Sequence, residues 1–231
     1  MIPLKDENKT NNKCYIRLVI LVICTLVFFF QILSSDNNYW IYFFGFKPLS
    51  LFQNVTYPSF PGYLTLLTSL FLHGGWMHFL GNMLYLWIFA DNVEDKLGLK
   101  RFILFYLLSG IFASLTQAFF NFNSEVPMIG ASGSIAGVLG AYLYFFPKAK
   151  VLVLIPFFIF FTVKVSAYIL LIFWFLYQFL NLSNVDSSVA WLAHIGGFIF
   201  GYLFAVFSGS NNTKKKGKTI LLDKNEKGPW D

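Results

Sequence analysis

The chain has 231 residues, of which 57% are hydrophobic, 21% aromatic and only 12% charged, where a soluble domain carries about a quarter charged residues. Several apolar runs reach the roughly 20 residues needed to cross a hydrocarbon core, and no polar stretch is long enough for a separate soluble domain, so a soluble protein is excluded. The formal charge of +6 does not point to nucleic acid, because the basic residues cluster beside apolar segments, where membrane topology places them.

Residues 1–17 are polar, carry Lys5, Lys9, Lys13 and Arg17, and are expected as a cytoplasmic N-terminal tail. Residues 18–33 are apolar apart from Thr25 and Gln31 and form the first expected transmembrane helix. A signal peptide is disfavoured by Ser34-Ser35-Asp36, a poor cleavage site, and by the spans that follow. Cys14 and Cys24, ten residues apart, would lie about 15 Å apart on one helix, too far for a disulfide. From 34 to 72, Asn, Pro and Gly mix with aromatics such as Tyr39-Trp40-Ile41-Tyr42. That composition suits an external loop lying partly in the headgroup layer.

The second span is expected over about 76–92, followed by the charged turn Glu94-Asp95-Lys96 with Lys100 and Arg101, where Glu94 would cap or pair with Lys96 or Arg101. The third runs over 102–120, and a polar loop at 121–128 leads to the fourth, 132–146, which Pro147 stops. The apolar run 151–182 is too long for one crossing and is interrupted by Pro156 and Lys164. Parity decides how often it crosses. One crossing, over about 165–182, lets the sixth span (189–207) deliver the lysine-rich tail 208–231 to the cytoplasm and leaves only Lys47 and Lys164 of the seventeen basic residues elsewhere. Residues 149–163 are then interfacial or re-entrant. The expectation is an all-α polytopic membrane protein with six transmembrane helices, a membrane domain at 18–207 and both termini cytoplasmic.

In that topology the second, fourth and sixth spans run from outside to inside, so their polar residues can be ranked by depth. Ser132 precedes Phe146 by fourteen residues, His194 precedes Ser208 by fourteen and His78 precedes Asn92 by fourteen. Each sits about 21 Å above the inner boundary, very roughly 9 Å below the outer edge of the core. The fourth span is too short to reach the outer surface, so Ser132 opens it inside the membrane. Gly130 and Gly133 flank Ser132 and permit a tight turn, and free N–H groups at a helix start suit a developing oxyanion.

Ionisable groups at membrane depth are costly and mark function. A structural, hydrogen-bonded histidine is the alternative for His194, but its level match with Ser132 favours a general base that takes the serine proton during attack on a peptide carbonyl. Asp91, Glu94 and Asp95 fall at the far end of the second span and Asp186 in an external loop, so a Ser-His dyad is expected rather than a triad. His78 and Asn82 share one helix face and are the expected oxyanion donors with the Ser132 backbone N–H; an inter-helix polar pair is the alternative. His73 is given a supporting role. Gly197 and Gly201, like Gly133, form small-residue faces for close helix packing. Ser134 competes as nucleophile but points about 200° away around the helix. Three histidines raise zinc, but no carboxylate or cysteine lies at their level and no HExxH spacing occurs, so no metal and no cofactor are expected.

These residues resemble the rhomboid family of intramembrane serine proteases. The match comprises His73-Gly-Gly-Trp-Met-His78-Phe-Leu-Gly-Asn82, Asp91-Asn-Val-Glu94-Asp-Lys-Leu-Gly98, Gly130-Ala-Ser132-Gly133, and Ala193-His194-Ile-Gly-Gly197 followed by Gly201. The resemblance implies metal-free cleavage of transmembrane protein substrates near their outer ends, within the lipid bilayer, with Ser132 as nucleophile, His194 as base and His78 with Asn82 as oxyanion donors. It further implies a multi-pass protein of a bacterial plasma membrane, active as a monomer. Two positions depart from the family pattern. Leu64-Thr65 stands where many members carry Trp-Arg, and Ala136 where some carry a tyrosine packed under the histidine. An inactive relative that binds membrane clients would typically lack the serine, the histidine or the motif glycine, all present here. A six-helix transporter would show repeats and a polar stripe along a pore, and neither is visible.

Overall fold

The computed structural model describes residues 1–34, 36–52, 60–156, 160–184 and 189–222. It opens on a strand, β1 (Ile2–Asp6), and a helix, α1 (Ile16–Leu33). Three short helices follow, α2 (Asn37–Phe44), α3 (Leu49–Phe52) and α4 (Gly62–Thr68), with a 3-10 turn at Ser69–Phe71. Next come α5 (Trp76–Leu97), α6 (Leu99–Phe120), α7 (Ser132–Phe145), the strands β2 (Lys150–Pro156) and β3 (Phe160–Ser166), and the helices α8 (Ala167–Leu180) and α9 (Trp191–Leu222). Among the described residues α1, α6 and the Trp191–Gly209 part of α9 are long and apolar enough to cross a membrane.

On α1, Ile20, Cys24, Phe28 and Gln31 face inward while Val19, Val22, Leu26, Phe30 and Leu33 are exposed. That is the stripe pattern of a helix with one face on a core and an outer face suited to lipid. α5 and α6 are separated by Gly98, whose φ of +76° is a turn conformation that side chains resist.

α7 is the hub. Its 14 residues span about 21 Å, every residue from Gly133 to Leu143 is buried, and it touches α5, α6, α8 and α9. Glycine makes this possible. A methyl at Gly197 would overlap the Gly133 carbonyl oxygen, one at Gly201 the Gly137 carbonyl and one at Gly140 the Phe198 carbonyl, so α7 and α9 meet backbone to backbone.

The all-α expectation needs correction. β1, β2 and β3 form an antiparallel sheet in that order, with Ile2 opposite Leu154, Asp6 opposite Val151 and Leu152 opposite Lys164. The 149–163 stretch, expected as interfacial or re-entrant, is thus largely strand. Val151 and Val153 face the core with Leu152 half-buried between them, a period-2 alternation of branched residues that a hydropathy average does not register.

Residues 1–17, expected as a tail, are tied to the end of α5. Tyr142 Oη and Asn92 Nδ2 donate to the buried Asp6 carboxylate at 2.8 and 2.7 Å, and Asn8 Nδ2 donates to Asn92 Oδ1 at 3.0 Å. Burial pushes the Asp6 carboxyl up to about 6, against the opposing pull of the Tyr142 hydrogen bond. Asp95 accepts the backbone N–H groups of Asn11 and Asn12 at 2.9 and 3.1 Å. Arg17 pairs with Asp91 at 3.0 Å and lies over the Trp87 ring. Glu94 does not pair with Lys96 or Arg101 but caps α1, accepting the N–H groups of Ile16 and Arg17 at 2.9 and 2.8 Å. The free N–H groups of a helix start attract a carboxylate wherever in the chain it comes from. At the other terminus α9 continues as helix to Leu222, through part of the segment expected as a tail; Lys224, Lys227 and Asp186 lie outside the described residues.

Candidate active site

The 34–72 segment holds the loop that leads into α7. Phe46 and Met128 exchange backbone hydrogen bonds of 3.0 and 2.7 Å, Leu49 N–H donates to Ser124 at 3.1 Å, and Gly130 N–H donates to Ser69 C=O at 2.9 Å. Thr65, of the Leu64-Thr65 departure, is buried on α4 with its hydroxyl on the Gly62 carbonyl. These contacts set Gly130 at φ +119°, a value that glycine alone adopts readily.

Two side-chain donors of α5 converge on Gly130. A Cβ there would lie 2.6 Å from His78 Nε2 and 3.6 Å from Asn82 Nδ2. His78 Nδ1 accepts the Gly74 N–H at 3.4 Å, which leaves Nε2 as the protonated, donating nitrogen of the neutral ring. Asn82 Nδ2 is buried and has no hydrogen-bond partner. Both N–H groups therefore face the start of α7 with no acceptor among the described residues, beside the backbone N–H of Ser132 in its first turn. Ser132 is half-exposed where its neighbours from Gly133 onward are buried.

His73 stands behind His78, their ring centres 5.3 Å apart, and packs edge-on against Phe28 and Phe79. Gln31 of α1 clamps its backbone, accepting the His73 N–H at 3.1 Å and donating to its C=O at 3.2 Å. The clamp fixes the turn from which His78 projects.

On α9, the His194 ring lies between Trp174 and Trp191, with centroids 5.9 and 6.1 Å away. Its Nδ1 is 2.9 Å from Gln178 Oε1 on α8. The glycine contacts of α7 with α9 bring the first turn of α7 and the His194 turn of α9 side by side. Among the described residues the Ser132 hydroxyl makes no hydrogen bond, to His194 or to any other group. Such bonds are commonly long in an unliganded site and tighten with substrate. Ser134 Oγ lies against Gly110 of α6, within the helix packing. Gly133 packs on Ala113 of α6, where a Cβ would approach to 2.6 Å.

A family model described as the Rhomboid domain matches residues 61–211. The chain belongs to the rhomboid family. Among curated rhomboid relatives, it is 32% identical over 229 residues to "Rhomboid protease GluP" of Bacillus subtilis (strain 168), covering 96% of this chain and 41% of that protein. It is 32% identical over 140 residues to the "Putative rhomboid protease YdcA" of the same organism, covering 60% of this chain and 65% of that protein. "Rhomboid protein 1, mitochondrial" of Saccharomyces cerevisiae (strain ATCC 204508 / S288c) is 27% identical over 161 residues, covering 68% and 45%. This rhomboid chain thus spans less than half the length of two of these relatives. Family membership and the apolar helices together make it an integral membrane protein.

The rhomboid site also contains groups that sequence reasoning passed over. Gln178 and Gln31 are each the one amide side chain of a largely apolar helix, and both are buried. A buried amide in a membrane helix is itself a signal; reading histidines and serines alone leaves it out.

Proposed function

We propose that this chain is an intramembrane serine endopeptidase that hydrolyses peptide bonds in or near the transmembrane segments of membrane-protein substrates through a Ser132-His194 dyad. The observation that carries the reading is the convergence of His78 Nε2 and of the buried Asn82 Nδ2, which has no partner among the described residues, on the Gly130 turn where Ser132 begins α7.

In this reaction His194 takes the proton of Ser132 as Oγ attacks the substrate carbonyl. The oxyanion accepts hydrogen bonds from His78, Asn82 and the Ser132 N–H. Collapse of the tetrahedral intermediate leaves an acyl-serine, and the departing amine receives the proton from His194. Water then attacks the acyl group with His194 again as base, releasing the second product and the free serine. The chemistry calls for no metal or cofactor.

We further propose that α1, α5, α6, α7, α8 and α9 are the six membrane helices of an 18–207 membrane domain with both termini cytoplasmic. The sheet supports this orientation: β3 shares it with β1, and Lys164 pairs with Glu7, so Lys164 joins the basic side and leaves Lys47 opposite. A plasma-membrane, monomeric bacterial enzyme is the corresponding setting.

The test is cleavage of a single-span model substrate in proteoliposomes by the wild type beside Ser132→Ala and His194→Ala. Cleavage lost in both variants is expected. No wild-type cleavage across several substrates would favour a client-binding relative, and cleavage by Ser132→Ala would assign another nucleophile.

A further inference from the structure

Building on the proposed dyad, we propose that Gln178 is the positioning residue that holds His194 in the one tautomer able to act as base. The position where some family members carry a tyrosine under the histidine is Ala136 here, fully buried and without a polar group. The carboxylates Asp91, Glu94 and Asp95 are engaged at the far end of α5 with Arg17, the start of α1 and Asn11–Asn12. His194 nonetheless has a partner, because Gln178 Oε1 lies 2.9 Å from its Nδ1.

The amide's orientation follows from its second contact. Gln178 Nε2 is 2.7 Å from the Trp174 carbonyl oxygen, and a carbonyl only accepts, so the NH2 group must face Trp174 and the oxygen must face His194. An amide oxygen in turn only accepts. His194 Nδ1 therefore carries the proton, and the lone pair is on Nε2, the nitrogen left to receive the Ser132 proton. Gln178 is 2% exposed, so water does not compete for the ring nitrogen, and the Trp174 and Trp191 rings limit its rotation.

The same bond serves the second half of the reaction. When Nε2 gains the serine proton, Nδ1–H still points at an oxygen, and the hydrogen bond becomes charge-assisted. A neutral amide stabilises the imidazolium less than a carboxylate would, but it sets direction and tautomer equally well. Gln178 touches no reacting atom; it acts through His194.

Gln178→Met, close in size and without an acceptor oxygen, and Gln178→Glu, which keeps one, are compared with wild type in the cleavage assay. We expect Gln178→Met to lower kcat by about 10- to 100-fold with KM changed less than about twofold, and Gln178→Glu to recover most of that loss. A structural role alone would not discriminate between the two variants in kcat at constant KM. A second readout does not depend on cleavage. In Ser132→Ala protein carrying 15N-histidine, the His194 ring resonances, identified by their loss in His194→Gln, should report a single Nδ1–H tautomer that becomes a mixture when Gln178→Met is added. A wild-type-like kcat for Gln178→Met, or a tautomer unchanged by it, overturns the proposal. Because the tautomer is read in an inactive protein, a failure of the protease reading remains distinguishable from a failure of Gln178.

Discussion

The two ends of α5 treat polar side chains in opposite ways. At its C-terminal end Asp91, Asn92, Glu94 and Asp95 are all partnered, by Arg17, Asp6, the first N–H groups of α1 and the backbone of Asn11–Asn12. Near its start His78 Nε2 and Asn82 Nδ2 face Gly130, and the buried Asn82 amide nitrogen has no hydrogen-bond partner among the described residues. A buried donor left unmade costs about 1–3 kcal/mol, so the same helix gains stability at one end and gives it up at the other. The paired end fastens the bundle. The unpaired end is where an arriving carbonyl oxygen would find hydrogen bonds already aimed.

That contrast can be broken from either side. The largest effect is expected from Asn82→Leu, which removes a donor from the open end: kcat for the proposed cleavage should fall by about 10²–10³-fold while thermal stability stays level or rises, checked by substrate cleavage beside a detergent melt. Stability lost together with activity would make Asn82 a structural hydrogen-bonding residue instead. Glu94→Ala should act in the reverse sense. Losing two charge-assisted bonds to the start of α1 should cost about 2–3 kcal/mol in reversible unfolding, with kcat at low temperature within about threefold of wild type. Gly201→Ala should cost about 1–3 kcal/mol by pushing α9 off the Gly137 carbonyl, and activity should fall with it, because the α7–α9 contact serves both ends.

The smallest effect concerns pH. Asp6, pushed up to about 6 by burial, holds a proton in the folded chain between roughly pH 4 and 6 that the unfolded chain has released. Stability from this group therefore falls as pH rises through that window and is flat above it. Amide hydrogen exchange in β1, corrected for its intrinsic pH dependence, should show firmer docking at pH 4.5 than at pH 7.5, and Asp6→Asn should remove the difference. An identical pH dependence in the variant would assign the effect to another group.

Much of the helical frame was legible in the sequence because apolar run length maps onto a membrane crossing. The expected 102–120 and 132–146 spans meet α6 and α7 to within three residues at each end. The helix that holds the expected 76–92 span runs on past Asp91, where hydropathy stops, to Leu97 on polar side chains paired with the N-terminal segment. Glu94 does cap, as one of its two expected roles has it, but its partners lie 78 and 77 residues earlier, where local spacing offers only Lys96 and Arg101. The sheet was hidden because β1 and β2 are far apart in the chain. At the candidate site, rise per residue gave only the expectation that Ser132, His78 and His194 share a level, whereas the convergence of His78 and Asn82 on Gly130 agrees with their four-residue spacing. Gln178 was out of reach because nothing in its own helix marks which histidine it meets.

The pairing of β1 with β2 sets an order of events. Ile2 lies opposite Leu154, and α1 through α7 are synthesised between the two strands. β1, made before β2, therefore waits for a partner until the hub helix α7 has been delivered, and contacts of such large sequence separation form late because a long loop must close first. Docking of β1, with Asp6 sealing against Asn92 and Tyr142, thus acts as a completion step. Residues 2–6 thereby report that the helices carrying the candidate nucleophile and its donors are already in place.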